Sequence, residues 1–559
     1  MRAASLLGVL VFAKALTLVG HRVPVSPWSP FAYFWQDVAV ALAFAAFDRF
    51  ARRPSLAWIL YAAIVVYAAV NVAVAHVLSS PLTWTMLRAA RGPLADSMAH
   101  ELSPAAIANM AAVLAAGIAW PWLLQRRRVR VSVPAVACAL SFVAIGVIGV
   151  SRVETVGLHR NAIVALLPMP WLRAGGAVAA GDPRTSPDGP SEGEDLSTLR
   201  GAAAGWNVVL VALESTAAQY LALYGADDAT PNLTALGRRS IVFDHAYAAY
   251  PESIKGLLAL LCGRAPAFDT SPEADAQRPC NSLPAILSAS GYRTALFHSG
   301  RFAYLGMRSV IEGRGFDLLE DAGAIGGNTH SSFGVDDAST VGRLLAWVDS
   351  LGPDRRFFAT YLPVAGHHPY ATTRPGPFDS STEFGRYRNA LHEGDDALGD
   401  LLTGLRVRGL DRRTLIVLLG DHGEAFGQHD GNFGHTMFIY DENVHVPLVI
   451  AGVTETELRV GRVASAVDTA PTILDLLGLP VMQGQEGRSL LTPERRMALF
   501  FTDYSLGWLG LRDGCWKYVL EVGSGRSKLF DVCADPGEQD DRSAAQPARA
   551  RAYRARVEK

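Results

Sequence analysis

The chain has 559 residues, 50% of them hydrophobic, and a formal net charge of −2. That length implies several domains, and the near-neutral charge excludes a global basic field of the kind that holds nucleic acid. Mean hydropathy is +0.18, and the apolar residues crowd into the first 150 positions.

Within 1–150, five apolar stretches of about membrane-spanning length are predicted to be helices, near 3–20, 32–48, 56–78, 105–124 and 131–150. Val131–Val150 has no charged residue, whereas Lys14 and Asp37 sit inside the first two stretches. Opposite charges on adjacent spans are expected to pair, because an isolated charge at bilayer depth is costly. Arg49, Arg52 and Arg53 follow the second span, and Arg126, Arg127, Arg128 and Arg130 follow the fourth. Basic loops stay cytoplasmic, so the reading is a multi-pass protein of the cell membrane with everything after residue 150 outside. The first span lacks a small-residue cleavage site and reads as an anchor, not a removed signal. Residues 80–104, with Trp84, Met86, Leu87, Leu94 and Met98 among charges, fit either the outer interface or an ordinary loop.

Residues 151–204 are dominated by Gly, Pro, Ser, Asp and Glu around 175–197 and read as a linker. From 205 to 545 strands and helices alternate. Strands are expected at 207–213, 293–298, 357–362, 414–419 and 446–451, and helices near 254–262, 282–290, 340–351 and 383–405. This is the pattern of an α/β domain with a mostly parallel sheet covered by helices on both faces. Near the end, 517–520 and 528–531 look like a hairpin, and 546–559 is left as a C-terminal tail. Four of the five cysteines, Cys262, Cys280, Cys515 and Cys533, fall in the exterior part, an even count that suggests two disulfides. Three pairings are possible; the local one, 262–280 with 515–533, is preferred. Cys138 lies in the fifth span.

Two strands end on metal-binding side chains: Asn207–Leu213 runs into Glu214, and Thr414–Leu419 into Gly420, Asp421 and His422. Ligands in α/β sheets gather outside the carboxyl ends of the strands. Carboxylate and imidazole together suit Zn²⁺ or Mn²⁺, with Ca²⁺ and Mg²⁺ also compatible.

The runs NVVLVALES (207–215), TPNL (230–233), GHHPY (366–370), GDHGEAFGQH (420–429) and IYDENVHVPLVI (439–450) resemble the alkaline phosphatase superfamily. They are most similar to its sulfatase-like branch, which includes membrane-bound phosphoethanolamine transferases and lipoteichoic acid synthases. The resemblance covers about 205–540. It implies an alkaline-phosphatase-like α/β sandwich with a small C-terminal antiparallel sheet. It also implies a divalent-metal site of Glu214, Asp421, His422 and a hydroxyl.

Sulfatases carry a modified cysteine in Cys-x-Pro-x-Arg at a helix start. Here the equivalent run is Ser253-Ile-Lys-Gly-Leu257, without that Cys, Pro or Arg. The resemblance therefore implies an unmodified Ser253 as nucleophile and fourth metal ligand. A hydroxyl at a helix N-terminus suits an anionic phosphate; its plainer role there is an N-cap. Ser215 and Thr216 are the rival hydroxyls. His367 and His435 match the family's substrate-side histidines. His298 and Lys255 are further candidates for substrate contact, while His368, His429 and His445 are left to packing or surface. The implied activity is phosphoryl transfer from a membrane-lipid donor to a lipid or glycan acceptor, or to water. Sulfate-ester hydrolysis is the alternative, and an inactive receptor the alternative of another class.

Overall fold

The computed structural model describes residues 1–89, 103–126, 132–167, 182–189, 192–268, 270–328, 333–352, 355–481 and 483–559. Leu94 and Met98 therefore lie outside the described residues.

The N-terminal part is helical: α1 (Arg2–Leu18), α2 (Ser29–Phe50), α3 (Pro54–Leu78), α4 (Trp84–Ala89), α5 (Pro104–Arg126) and α6 (Val133–Val150). Proline in the first turn starts α2, α3 and α6, where its missing N–H costs nothing, and Ser132 caps α6 by accepting from Ala135 N. Helices stand on all five predicted segments, but the expectation of five spans is corrected. Among the described residues four helices (α2, α3, α5 and α6) are long and apolar enough to cross a membrane. The first, α1, ends after 17 residues, about 26 Å of rise against the ~30 Å of a hydrocarbon core.

Lys14 Nζ lies 3.9 Å from Asp37 Oδ2, both nearly inaccessible. The pair is closed by the segment after α6. Lys14 donates to Leu158 O at 3.0 Å, and Asn161 Nδ2 donates to Asp37 Oδ1 at 2.6 Å. Two charges inside an apolar bundle are thus matched to each other and to polar neighbours, as their cost requires.

The described part of 151–204 is packed onto the α/β domain that follows it. Arg184 makes a bidentate pair with buried Asp468, each bond 2.6 Å, and Leu196 and Ala203 join the core. Arg160 donates to Ser505 O (2.9 Å) and Oγ (2.7 Å), and Thr83 Oγ1 to Tyr504 O (3.4 Å).

The α/β domain after residue 205 is built on an eight-stranded sheet. Its strands are β1 (Asn207–Leu213), β2 (Ser240–Tyr247), β3 (Arg293–His298), β4 (Leu318–Glu320), β5 (Phe357–Leu362), β6 (Thr414–Gly420), β9 (His445–Ala451) and β10 (Leu458–Ser465), in the order β10-β2-β9-β6-β1-β5-β3-β4. The short strands β7 (Ala425–Phe426) and β8 (Phe433–Gly434) pair beside it. All neighbours are parallel except β9, which runs antiparallel to both β2 and β6. Along β1, Val208, Leu210 and Ala212 enter one apolar cluster and Val209 and Val211 the opposite one. Both faces are covered, which is why this strand reads as an unbroken apolar run.

A second sheet of β11 (Ala498–Thr502), β12 (Trp508–Asp513), β13 (Trp516–Glu521) and β14 (Ser527–Asp531) is antiparallel throughout and contains the expected hairpin. The segment read as a tail forms a helix, Pro547–Val557, whose Tyr553 is fully buried with Leu511, Tyr518 and Leu520. Toward the membrane helices, α3 meets β8 and α4 meets the turn Tyr304–Gly306.

Cys262 bonds Cys280 and Cys515 bonds Cys533, the preferred pairing. Alkylation under denaturing, non-reducing conditions is therefore expected to label Cys138 and none of these four. Labelling of all four, read by mass spectrometry, would remove both disulfides.

Candidate active site and metal centre

Strands β1 and β6 are parallel neighbours with Leu213 paired to Gly420, so the residues that follow, Glu214 and Asp421, emerge side by side. Asp421 Oδ1 accepts from Ser215 N (3.1 Å) and His422 N (2.7 Å). Ser215 sits at φ +52°, in the left-handed region, although it is not glycine. Tyr387 OH donates to its carbonyl (2.7 Å), and its own Oγ donates to Glu214 Oε1 (2.9 Å). Such fixed strain collects where geometry matters more than comfort.

His422 is fully buried. Its Nδ1 donates to Gly423 O at 3.0 Å, which leaves the Nε2 lone pair facing inward. Nε2 lies 3.2 Å from Ser253 Oγ, 3.5 Å from Glu214 Oε1 and 3.7 Å from Asp421 Oδ2. Burial, with His435 adding to it, brings His422 down to about 4, so the ring is neutral.

Ser253 opens helix α7 (Ser253–Cys262), but it is not the cap. Glu252 takes that place, its carboxylate accepting from Ile254 N (3.0 Å) and Lys255 N (3.1 Å). The Ser253 hydroxyl is thereby free for the centre and donates to Glu214 Oε2 at 3.1 Å. Of the rival hydroxyls, Ser215 is engaged as above, and Thr216 Oγ1 donates back to Glu214 O at 2.9 Å.

Burial raises both carboxylates: Asp421 to about 7, and Glu214 upward with Asp421's charge adding to it. Donor atoms of Glu214, Asp421 and His422 all lie within 4.8 Å of one another. Among the described residues no lysine or arginine is ion-paired with either carboxylate. Two apposed buried carboxylates, one inward imidazole lone pair and a hydroxyl form a donor set that fits a divalent cation.

The remaining candidates divide. His435 Nδ1 bonds Glu424 Oε2 at 2.7 Å, and its ring is 4.2 Å from His422's. Burial opposes its protonation, but the Glu424 carboxylate, with Glu214 and Asp421 behind it, lifts it to about 9. In the metal-free fold His435 is thus protonated, and among the described residues its Nε2–H is unspent. His367 stacks on Phe333 at 3.6 Å, stands 6.4 Å from His435, and bonds His368 O through Nδ1 at 2.6 Å.

The structure does not bring His298 and Lys255 to this group. His298 bonds Leu362 O at 3.1 Å and stacks on Phe302. Lys255 Nζ is held by Asp503 Oδ2 (2.9 Å) and Oδ1 (3.1 Å), with Tyr250 OH on the same carboxylate (2.7 Å). His429 pairs with Glu442 and stacks on Tyr440, and His445 bonds Asp244 O.

Three contributors carried only weak sequence signals. Glu424 lies two residues after His422 and also accepts from Tyr370 OH (2.6 Å), so it orients His435. Glu252 is a carboxylate directly before a helix. Asp503 is distant in sequence and carries no local mark.

If Lys255 serves the fold, Lys255→Ala is expected to destabilise the protein by about 3–5 kcal/mol, since it strands a buried carboxylate. Lys255→Met with Asp503→Leu should recover part of that loss. Thermal melts read both, and an unchanged melting temperature for Lys255→Ala would contradict the structural role.

Residues 206–479 match the family model for Sulfatase. Arylsulfatase K of Bos taurus is 32% identical over 166 residues, 26% of this chain and 30% of that protein. Lipoteichoic acid synthase 2 of Bacillus subtilis (strain 168) is 24% identical over 241 residues, 40% of this chain and 37% of that one. The chain thus spans less than half the length of these relatives. A solved structure of a protein in the alkaline phosphatase superfamily from Vibrio parahaemolyticus has a TM-score of 0.52 at 22% identity, covering 64% of this chain and 88% of that one. With a strand order that sets Glu214 beside Asp421 and a helix that presents Ser253 to both, residues 206–479 are similar to sulfatase-family domains and share the fold of a protein in the alkaline phosphatase superfamily.

Proposed function

We propose that this protein is a membrane-anchored, divalent-metal-dependent enzyme that transfers or hydrolyses phosphodiesters through an unmodified Ser253. The observation that carries the reading is Ser253 Oγ itself, set at 3.1 Å from Glu214 and 3.2 Å from His422 while Glu252 takes over the cap. Glu214, Asp421, His422 and Ser253 would hold the ion, Zn²⁺ or Mn²⁺ by donor type. When bound, the ion supplies positive charge that favours the serine alkoxide and offsets charge on the phosphoryl oxygens.

The chain's own groups account for the rest. Ser253 Oγ forms the bond to phosphorus and its proton passes to Glu214 Oε2. The bridging P–O bond breaks, and the leaving alkoxide takes the proton of His435 Nε2. A hydroxyl acceptor or water then attacks the phosphoserine and gives its proton to His435, while the Ser253 Oγ–P bond breaks and Oγ takes back the proton held by Glu214. His367, stacked on Phe333 with its ring 6.4 Å from that of His435, is placed to bond a phosphate oxygen.

The donor in this reading is a membrane phospholipid head group, and the acceptor a lipid or glycan hydroxyl or water. The contacts of α3 with β8 and of α4 with the 304–306 turn support it, since they set the bundle beside elements bordering the site. The arginine-rich loops support an exterior site. A reporter active only outside the cytoplasm, fused after residue 150, is expected to be active and, fused after Arg130, inactive; the reverse pattern would overturn that placement.

Sulfate-ester hydrolysis is the second reading, favoured by the likeness to arylsulfatase K. The missing Cys, Pro and Arg around Ser253 weigh against it. Metal-loaded full-length protein is expected to cleave bis(p-nitrophenyl) phosphate in preference to p-nitrophenyl sulfate. The opposite preference would replace the first reading by the second.

A further inference from the structure

We infer that the cleft between the end of α6 and the turn joining β13 to β14 holds the head group of an acidic phospholipid. The inference rests on α6 crossing the membrane and goes beyond the reaction assigned to Ser253.

The cleft has a volume of about 500 Å³, the size of a small-molecule site, and its lining includes Ser151, Glu154, Ser524, Arg526, Lys528 and Asp541. Helix α6 ends at Val150, and Ser151 Oγ donates back to Ile148 O at 2.8 Å. The cleft therefore opens where a membrane-crossing helix leaves the hydrocarbon, at the level of lipid head groups. Val147 and Ile148, four and three positions before Ser151, share its side of the helix. They are 56% and 54% exposed. One side of α6 thus passes from exposed apolar side chains into a polar cleft, as the acyl chains of a phospholipid pass into its head group.

The charges in the cleft match a phosphate. Arg526 and Lys528 are two positions apart, on one side of the extended chain at the start of β14. Both reach Glu154, at 3.4 and 2.5 Å, so two cations converge on one carboxylate. The other acid of the cleft, Asp541, accepts the backbone N–H groups of Leu529 (3.0 Å) and Ser543 (2.9 Å). Behind the turn, buried Glu521 and Arg160 offset each other. Arg152, next to Ser151, is exposed and has no ion pair among the described residues. Arg152, Arg526 and Lys528 against Glu154 and Asp541 leave one positive charge in excess. A phosphodiester brings one negative charge and accepts the paired N–H groups of a guanidinium. A zwitterionic lipid brings its own cation and leaves the excess unmatched.

The test is native mass spectrometry of the full-length protein in detergent, titrated with phosphatidylglycerol or with phosphatidylcholine. One phosphatidylglycerol is expected to stay bound under activation that strips phosphatidylcholine. With Arg526→Gln and Lys528→Gln together, its retention should fall by about tenfold or more. With Glu154→Gln, which removes the carboxylate that competes for both cations, retention should instead rise severalfold. An ion pair that serves only the fold would lower the melting temperature in both variants and leave lipid retention the same in all three proteins. That result, in variants whose two disulfides stay closed, overturns the inference. Equal retention of the two lipids by the wild-type protein also overturns it. So does release of the lipid by inorganic phosphate at equal concentration, which would mark a site for the free anion.

Discussion

Ser253→Ala is expected to abolish phosphodiester turnover, a loss of about 10⁴-fold or more, while the protein folds and keeps its metal. Removing a nucleophile that acts in concert with a proton donor costs on this scale. The metal remains because Glu214, Asp421 and His422 are set by the ends of β1 and β6, not by α7. Ser253→Thr should retain measurable activity, since it keeps the hydroxyl at the head of the helix. Ser253→Cys should not gain sulfatase activity, because the flanking Pro and Arg of that motif are absent. His435→Ala should lower the rate by about 10²–10⁴-fold without changing metal content, as its proton and not its coordination is at stake. Full activity in Ser253→Ala together with loss in Thr216→Ala would move the nucleophile. The bond from Thr216 Oγ1 back to Glu214 O argues against that outcome.

Removing the metal should leave two carboxyls, Asp421 and Glu214, whose own contribution to stability falls as pH rises. In the metal-free fold Asp421 ionises only near pH 7, and Glu214 also lies above its ordinary range. Unfolded carboxyls ionise near pH 4. Between these limits the folded state binds more protons than the unfolded one, so stability is lost across that window. A carboxyl that holds its proton to a pH ten times less acidic in the fold than in the open chain costs about 1.4 kcal/mol once both are ionised. Thermal melts in excess chelator from pH 4.5 to 7.5 are expected to show the wild-type melting temperature falling relative to that of Asp421→Asn, and added Mn²⁺ or Zn²⁺ to raise it in a concentration-dependent way. Asp421→Asn should flatten the decline in chelator and weaken the rescue by metal, because a neutral amide relieves the repulsion yet ligates poorly. The same pH dependence in wild type and Asp421→Asn, with no response to metal, would contradict the assignment of these residues as a metal centre.

What the sequence disclosed follows from which features are local. Strand β1 and strand β6 are apolar runs ended by Glu214 and by Gly420–His422, so their placement at one sheet edge was legible. The cysteine pairing is the local one that the sequence reading preferred among three it left open. Strand β2 was missed because Asp244 and His245 interrupt it where its register shifts. The antiparallel β9 looks like any buried strand, since direction leaves no mark in composition. The cap was not legible for a reason of the same kind. Ser253 and Glu252 are both plausible caps one residue apart, and only the backbone bonds to Ile254 and Lys255 decide between them. Lys255 looked available for phosphate because its partner, Asp503, lies 248 positions away. Residues 182–204 looked too polar to fold, yet Arg184 finds Asp468 and the segment closes over the core.

The claim at the centre is that Ser253 acts as an unmodified hydroxyl. It is tested most directly by mass spectrometry of the peptide containing residue 253, taken from full-length metal-loaded protein quenched after exposure to total membrane lipid. The expected result is a serine at 253 carrying a phosphoryl or phospho-head-group adduct that disappears when acceptor is added. An aldehyde at position 253, or an adduct confined to Ser215 or Thr216, would contradict it.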